Sequence, residues 1–211
     1  MQREVIADGL HVGHGGDPDG PPVVFVHGAL DRGAAFLRTT RLLGDMGWWV
    51  YDRRGYGRSQ TDEPLSLDDH VADLIRLLEV VRARTGRSAV VVGHSLGGSI
   101  ALGAAGRRPD LMAAVVAYES PLLWLEWWPR RGPGGGAALE DDEPEVAVER
   151  FMRRVAGADV WEALPEATRD RRLAEGHALV AELATARAVA PFDPGAVRVP
   201  ATIARGSQAD E

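Results

Sequence analysis

Apolar positions along the first 120 residues follow two alternating patterns. The short runs Val23–Val26, Trp48–Tyr51, Ala89–Val92 and Ala113–Tyr118 are too brief for helices and read as strands, the β-branched ones typical of burial on both faces. Val71, Leu74, Ile75, Leu78 and Val81 recur at helical spacing, which puts one helix face in a core. Ser66 and Asp69 form a capping-box-like pair at its start, and Gly86 closes it. Further helices are predicted over Gly33–Met46 and Leu96–Arg108, the latter stopped by Pro109. Arg3–Ala7 and Leu10–His14 read as opening strands. Strands alternating with helices predict an α/β class, doubly wound around a mostly parallel sheet.

The character changes after Ser120. Three close tryptophans, a Gly-Pro-Gly stretch at 132–136, acidic residues over 140–145 and amphipathic stretches replace the alternation. The division expected is a core over 1–119, an inserted helical lid over 120–195, and over 196–211 the start of a returning core strand. Val199–Arg205 supplies that strand. The acidic run reads as a solvated loop.

Composition narrows the chemistry. The 211 residues suit one domain, and 45% apolar with 26% charged is ordinary for a globular protein. No apolar run approaches a membrane span, and Met1–Val5 lacks a secretory leader pattern, so a cytoplasmic address is expected. There is no cysteine, which excludes disulfides, thiolate metal sites and a cysteine nucleophile. All 24 basic residues are arginine, so no Schiff-base lysine exists. A net charge of −7 disfavours nucleic-acid binding. No metal-ligand spacing, phosphate-cradling loop or dinucleotide fingerprint is present, and no cofactor is expected.

The strongest chemical signal is Gly93-His94-Ser95-Leu96-Gly97-Gly98, between a predicted strand and a predicted helix. A sharp strand-to-helix turn exposes a serine hydroxyl, and glycines tolerate the crowding around it. The bland alternative is a tight turn with Ser95 as an ordinary helix cap. The second signal is Val26-His27-Gly28-Ala29-Leu30, at the end of the earlier strand. There the Ala29 N–H is a candidate to join the Leu96 N–H in stabilising an oxyanion. His27 reads as a loop-holding residue rather than a base.

Together Val23–Leu30, the loop Asp52-Arg53-Arg54-Gly55-Tyr56-Gly57-Arg58-Ser59 and the Gly93–Gly98 turn resemble an α/β-hydrolase-fold enzyme over about residues 3–120. The resemblance implies a Ser–acid–His triad in that chain order and a helical lid after the sixth strand. Arg53 and Arg54 read as structural residues of a turn beside the sheet. For the acid, two candidates stand. Glu119 ends a strand, and Ala117-Tyr118-Glu119 is similar to the acid placement in the dehalogenase-like branch of the family. Asp210 lies one residue beyond the more usual placement. A serine nucleophile argues against a dehalogenase or epoxide hydrolase proper, which need a carboxylate at that position.

The histidine is the difficulty. The resemblance places it after an eighth strand, and His177 alone follows Ser95, in the expected lid. The expectation is therefore a chain truncated before its base, weak or inactive by itself, with its last strand an uncovered sheet edge. Trp124, Trp127 and Trp128 are candidates for an apolar substrate pocket, against the plainer reading that they pack on the core or on each other. The function expected is a serine hydrolase of small or medium apolar esters or related carbonyl compounds. The alternative is a non-catalytic small-molecule binder or interaction protein on the same scaffold.

Overall fold

A computed structural model describes residues 1–6, 9–128 and 143–207. Among these residues seven strands form one sheet: β1 (Gln2–Ile6), β2 (Leu10–Gly16), β3 (Pro22–Val26), β4 (Gly47–Tyr51), β5 (Ala89–His94), β6 (Met112–Tyr118) and β7 (Ala201–Ala204), ordered β1-β2-β4-β3-β5-β6-β7. The opening pairs β1–β2 and β2–β4 are antiparallel, and all other pairs are parallel. The expected α/β class and mostly parallel sheet are both present.

Alternation along β3 explains the layers. Val24 and Val26 face the larger core, built with α1 (Leu67–Thr85) and α2 (Leu96–Arg107). Val23 and Phe25 face the other side, against Phe36, Leu37 and Met46. Such a strand is apolar throughout because both faces are covered. Helix α1 buries Val71, Leu74, Leu78 and Val81. Ser66 accepts from the Asp69 N–H while the Asp69 carboxylate accepts from the Ser66 N–H, the reciprocal cap expected. Gly86 closes the helix in the left-handed conformation, at φ 69°.

The helix expected over Gly33–Met46 is not there. Two short 3₁₀ segments, Gly33–Leu37 and Thr39–Leu42, take its place. Thr39 and Thr40 are weak helix formers, and the Thr40 hydroxyl donates to the Leu37 carbonyl at 3.1 Å. Gly44, at φ 60°, turns the chain out soon after.

Among the described residues, four helices lie between β6 and β7: α3 (Pro144–Val155), α4 (Ala158–Ala163), α5 (Glu166–Leu173) and α6 (Gly176–Ala188). Their buried side chains Ala147, Val148, Trp161, Leu179 and Leu183 form a cluster with Leu30 and Tyr56 of the core. The Gly-Pro-Gly stretch and residues 140–142 of the acidic run lie outside the described residues, while Glu143 and Glu145 are exposed. Strand β7 pairs with β6 alone among the described strands, with Ile203 69% exposed. No helix among the described residues is long and apolar enough to cross a membrane.

Removing a packed side chain from α1 is expected to cost more than removing its cap. Leu74→Ala should lose about 2–5 kcal/mol and Ser66→Ala about 1 kcal/mol, both read from urea unfolding.

Candidate active site

Strand β5 delivers Ser95 to a sharp turn before α2. Its backbone sits at φ 54°, ψ −131°, outside the regions a serine ordinarily adopts, and its side chain makes no capping bond. The hydroxyl is therefore not engaged as an ordinary helix cap. Two backbone bonds hold the turn: the Ser95 N–H donates to the Tyr118 carbonyl at 2.9 Å, and the Ser95 carbonyl accepts from Gly98 N–H at 2.8 Å.

The glycines around it answer to close packing. A Cβ on Gly93 would lie 2.2 Å from the Gly97 carbonyl oxygen, and one on Gly97 would lie 2.2 Å from the Val26 oxygen. A Cβ on Gly28 would lie 2.9 Å from the Ser95 Cβ and 3.3 Å from its Oγ. The two sequence motifs thus meet directly, with the end of β3 lying against the serine. Ala29 is half-buried there, and Leu96 is the first residue of α2. Among the described residues, neither of their N–H groups has a hydrogen-bond acceptor.

Glu119 follows β6 in the left-handed region, at φ 51°. Its N–H donates to the Ala204 carbonyl at 2.8 Å, and its carboxylate accepts from the Gly206 N–H at 3.0 Å. The same carboxylate lies 4.0 Å from His94 Nε2 and raises the Tyr118 phenol above its ordinary value by its charge. Glu119 therefore stands between the serine turn and the exit of β7. Asp210 lies outside the described residues. No histidine is hydrogen-bonded to the Ser95 hydroxyl among the described residues. His177 is exposed on α6, His14 stacks on Trp49, and His70 is buried in α1.

His27 has a defined tautomer. Its Nδ1–H donates to the Gly28 carbonyl at 2.8 Å, and its Nε2 accepts from the Arg53 N–H at 2.9 Å. Burial, then the Arg53 charge, holds it well below the ordinary histidine range, so it is neutral. Arg53 is fully buried, and its Nη1 meets Glu182 Oε2 at 2.6 Å. The Tyr56 hydroxyl donates to Glu182 Oε1 at 2.5 Å, and His70 Nε2 lies 3.4 Å from Oε2. Burial alone would raise the Glu182 carboxyl, but Arg53 and His70 bring it down to about 2.

Glu182 does not stand out in the sequence. The available signal was a carboxylate in line with Leu179, Leu183 and Ala186 on the buried face of one helix, opposite an arginine-rich turn.

The three tryptophans divide. Trp124 sits edge-on to Phe192 with centroids 5.5 Å apart, while Trp127 and Trp128 are tilted together at 5.8 Å. Trp127 is 69% exposed. Two surface clefts, of about 840 and 360 Å³, are lined by neither these tryptophans nor Ser95.

A mostly parallel sheet with a strained serine between β5 and α2 defines the class as an α/β-hydrolase fold. The sequence model of the alpha/beta hydrolase family matches residues 23–208, and the chain belongs to that family. It is 37% identical over 111 residues to lipase LipV of Mycobacterium tuberculosis (strain ATCC 25618 / H37Rv), covering 52% of this chain and 41% of that one. It is 35% identical over 119 residues to epoxide hydrolase A of the same organism, covering 54% of this chain and 36% of that one. The chain thus spans about two fifths of the length of these curated relatives. In structure it is similar to an alpha/beta hydrolase from Sphaerobacter thermophilus DSM 20745, with a TM-score of 0.70 at 24% identity, over 99% of this chain and 83% of that one.

The buried network sets an acid sensitivity. His27 and His70 are held below their ordinary 6.5, chiefly by burial and next by Arg53. Both hold a proton less readily when folded than when unfolded, so stability is lost as pH falls through 6.5. Glu182, at about 2 against an ordinary 4.5, adds a second loss as pH falls between those values. Glu175, raised by burial, acts in the opposite sense above its ordinary 4.5 and offsets part of the loss. The melting temperature is expected to fall from about pH 7 to about pH 5, then further below about pH 4.5. His70→Gln should lessen the first fall, which His27 also carries, and should lessen the second as well, since His70 helps hold Glu182 down, as read by calorimetry across that range.

Proposed function

We propose that this chain carries the core of a serine hydrolase, with Ser95 as nucleophile toward a carbonyl carbon. The observation that carries the reading is the strained Ser95 turn seated against Gly28, beside two N–H groups that have no acceptor among the described residues. In this reading Ser95 Oγ attacks the carbonyl carbon, and the Ala29 and Leu96 N–H groups stabilise the oxyanion. The serine proton goes to the histidine that the family's triad calls for, a place no described histidine takes at Ser95, and Glu119 orients it, with Asp210 as the alternative acid. Water then releases the acyl group. Residues 120–195 act as a lid, with Trp124, Trp127 and Trp128 facing an apolar substrate.

The substrate class is a small or medium apolar ester or related carbonyl compound. Serine at position 95, where epoxide opening needs a carboxylate, favours acyl chemistry over the reaction that names one of the relatives. A second reading, a small-molecule binder without turnover, is favoured by one observation: no histidine is bonded to the Ser95 hydroxyl among the described residues. The chain taken by itself is accordingly a slow nucleophile.

Labelling with a fluorophosphonate, followed by intact mass, separates the two. Slow addition of one label, abolished by Ser95→Ala, is the expected outcome. A folded chain that takes up no label would sink the hydrolase reading and support the binder.

A further inference from the structure

The loop His27–Leu30 is held through its carbonyl oxygens by two guanidiniums. Arg53 Nε donates to the His27 carbonyl at 3.1 Å, and its Nη2 donates to the Gly28 carbonyl at 3.0 Å. The Gly28 carbonyl also accepts from His27 Nδ1–H at 2.8 Å. Arg172, at the end of α5, donates through Nη1 to the Leu30 carbonyl. Of the four loop carbonyls, only that of Ala29 is not held in this way.

The peptide geometry gives this a consequence. The Gly28 carbonyl and the Ala29 N–H belong to one planar trans peptide and point in opposite directions. Two donors on the Gly28 oxygen therefore fix where the Ala29 N–H points. Leu30 sits at φ 50°, a conformation costly for a leucine, and Arg172 holds it on the far side of Ala29.

Both guanidiniums are in turn held from the helical insertion. Glu182 in α6 binds Arg53 Nη1, with both side chains fully buried. Glu175, at the start of α6, lies 3.8 Å from Arg172. Its other oxygen accepts from Arg32 at 2.7 Å and from Gly57 N–H at 2.9 Å. The insertion thus reaches the loop by two routes about a hundred or more residues away in sequence.

We propose that Arg53, oriented by Glu182 and seconded by Arg172, is a positioning residue that fixes the direction of the Ala29 N–H, so that the helical insertion sets the oxyanion hole. This rests on the reading of Ala29 as an oxyanion donor.

The test uses the whole chain, a fluorophosphonate, and the variants Glu182→Gln, Arg172→Ala and Arg172→Lys. Glu182→Gln keeps the shape and removes the charge. Arg172, with its side chain 18% exposed, is the safer site if the buried variant fails to fold, and it then decides alone. Labelling of Ser95 is expected to slow about tenfold in Glu182→Gln and Arg172→Ala, with substantial recovery in Arg172→Lys. The ³¹P resonance of the Ser95 adduct should move toward its position in the unfolded labelled chain, which a loss of stability alone would not cause. Folded variants with the original rate and resonance overturn the proposal.

If the original chain forms no adduct, the hydrolase reading fails and the proposal is judged on the Ala29 amide. A changed Ala29 amide resonance in Arg172→Ala, with β5 amides unaffected, sustains it. An unchanged Ala29 amide overturns it.

Discussion

The structure depends on one buried ion pair. Arg53 comes from the turn after β4 and Glu182 from α6, and both are fully excluded from solvent. A guanidinium in that position is tolerable only with its donors engaged and its charge matched. Here Nε, Nη1 and Nη2 all find oxygens, and the Tyr56 ring lies 4.9 Å from the guanidinium carbon. Removing either partner leaves an uncompensated buried charge, which is far worse than removing both. The pair therefore joins three parts that are distant in sequence: the serine-facing loop after β3, the turn after β4, and the insertion.

The second constraint is closeness. Ser95 is presented on a strained backbone, and the neighbours that make room for it are glycines from the loop after β3, from β5 and from the first turn of α2. Gly28 and Gly97 do different work, one admitting the serine side chain and the other the carbonyl of Val26. Strain of this kind persists only where surrounding contacts over-determine it. Hydrogen bonds from β6 and within α2 supply those contacts at Ser95, and Arg172 supplies one at Leu30.

Local patterns made much of this readable beforehand. β3 and β5 announced themselves through apolar runs, and α1 through its period and its Ser66–Asp69 cap, because each signal acts within a few residues. The segment after Gly33 reads as one helix from its apolar content, and Thr39, Thr40 and Gly44 break it up. Ser95, Gly28 and Ala29 were visible as motifs because turn chemistry is written in adjacent residues. Arg53 was read as a turn residue, which is true of its backbone and incomplete for its side chain. Glu182 went unnoticed because a carboxylate among leucines has meaning only once its partner is known.

What the sequence alone determined is therefore local: the strand runs, the capped helix, the serine turn and the glycines around it. These follow from steric preference and periodicity, which operate over a handful of positions. Tertiary structure decided what those positions face. It brought Gly28 against Ser95, placed Glu119 at the exit of β7, and set Glu182 against an arginine 129 residues away. The physical reason is that a buried charge selects its partner by proximity after folding, and no spacing along the chain encodes that choice.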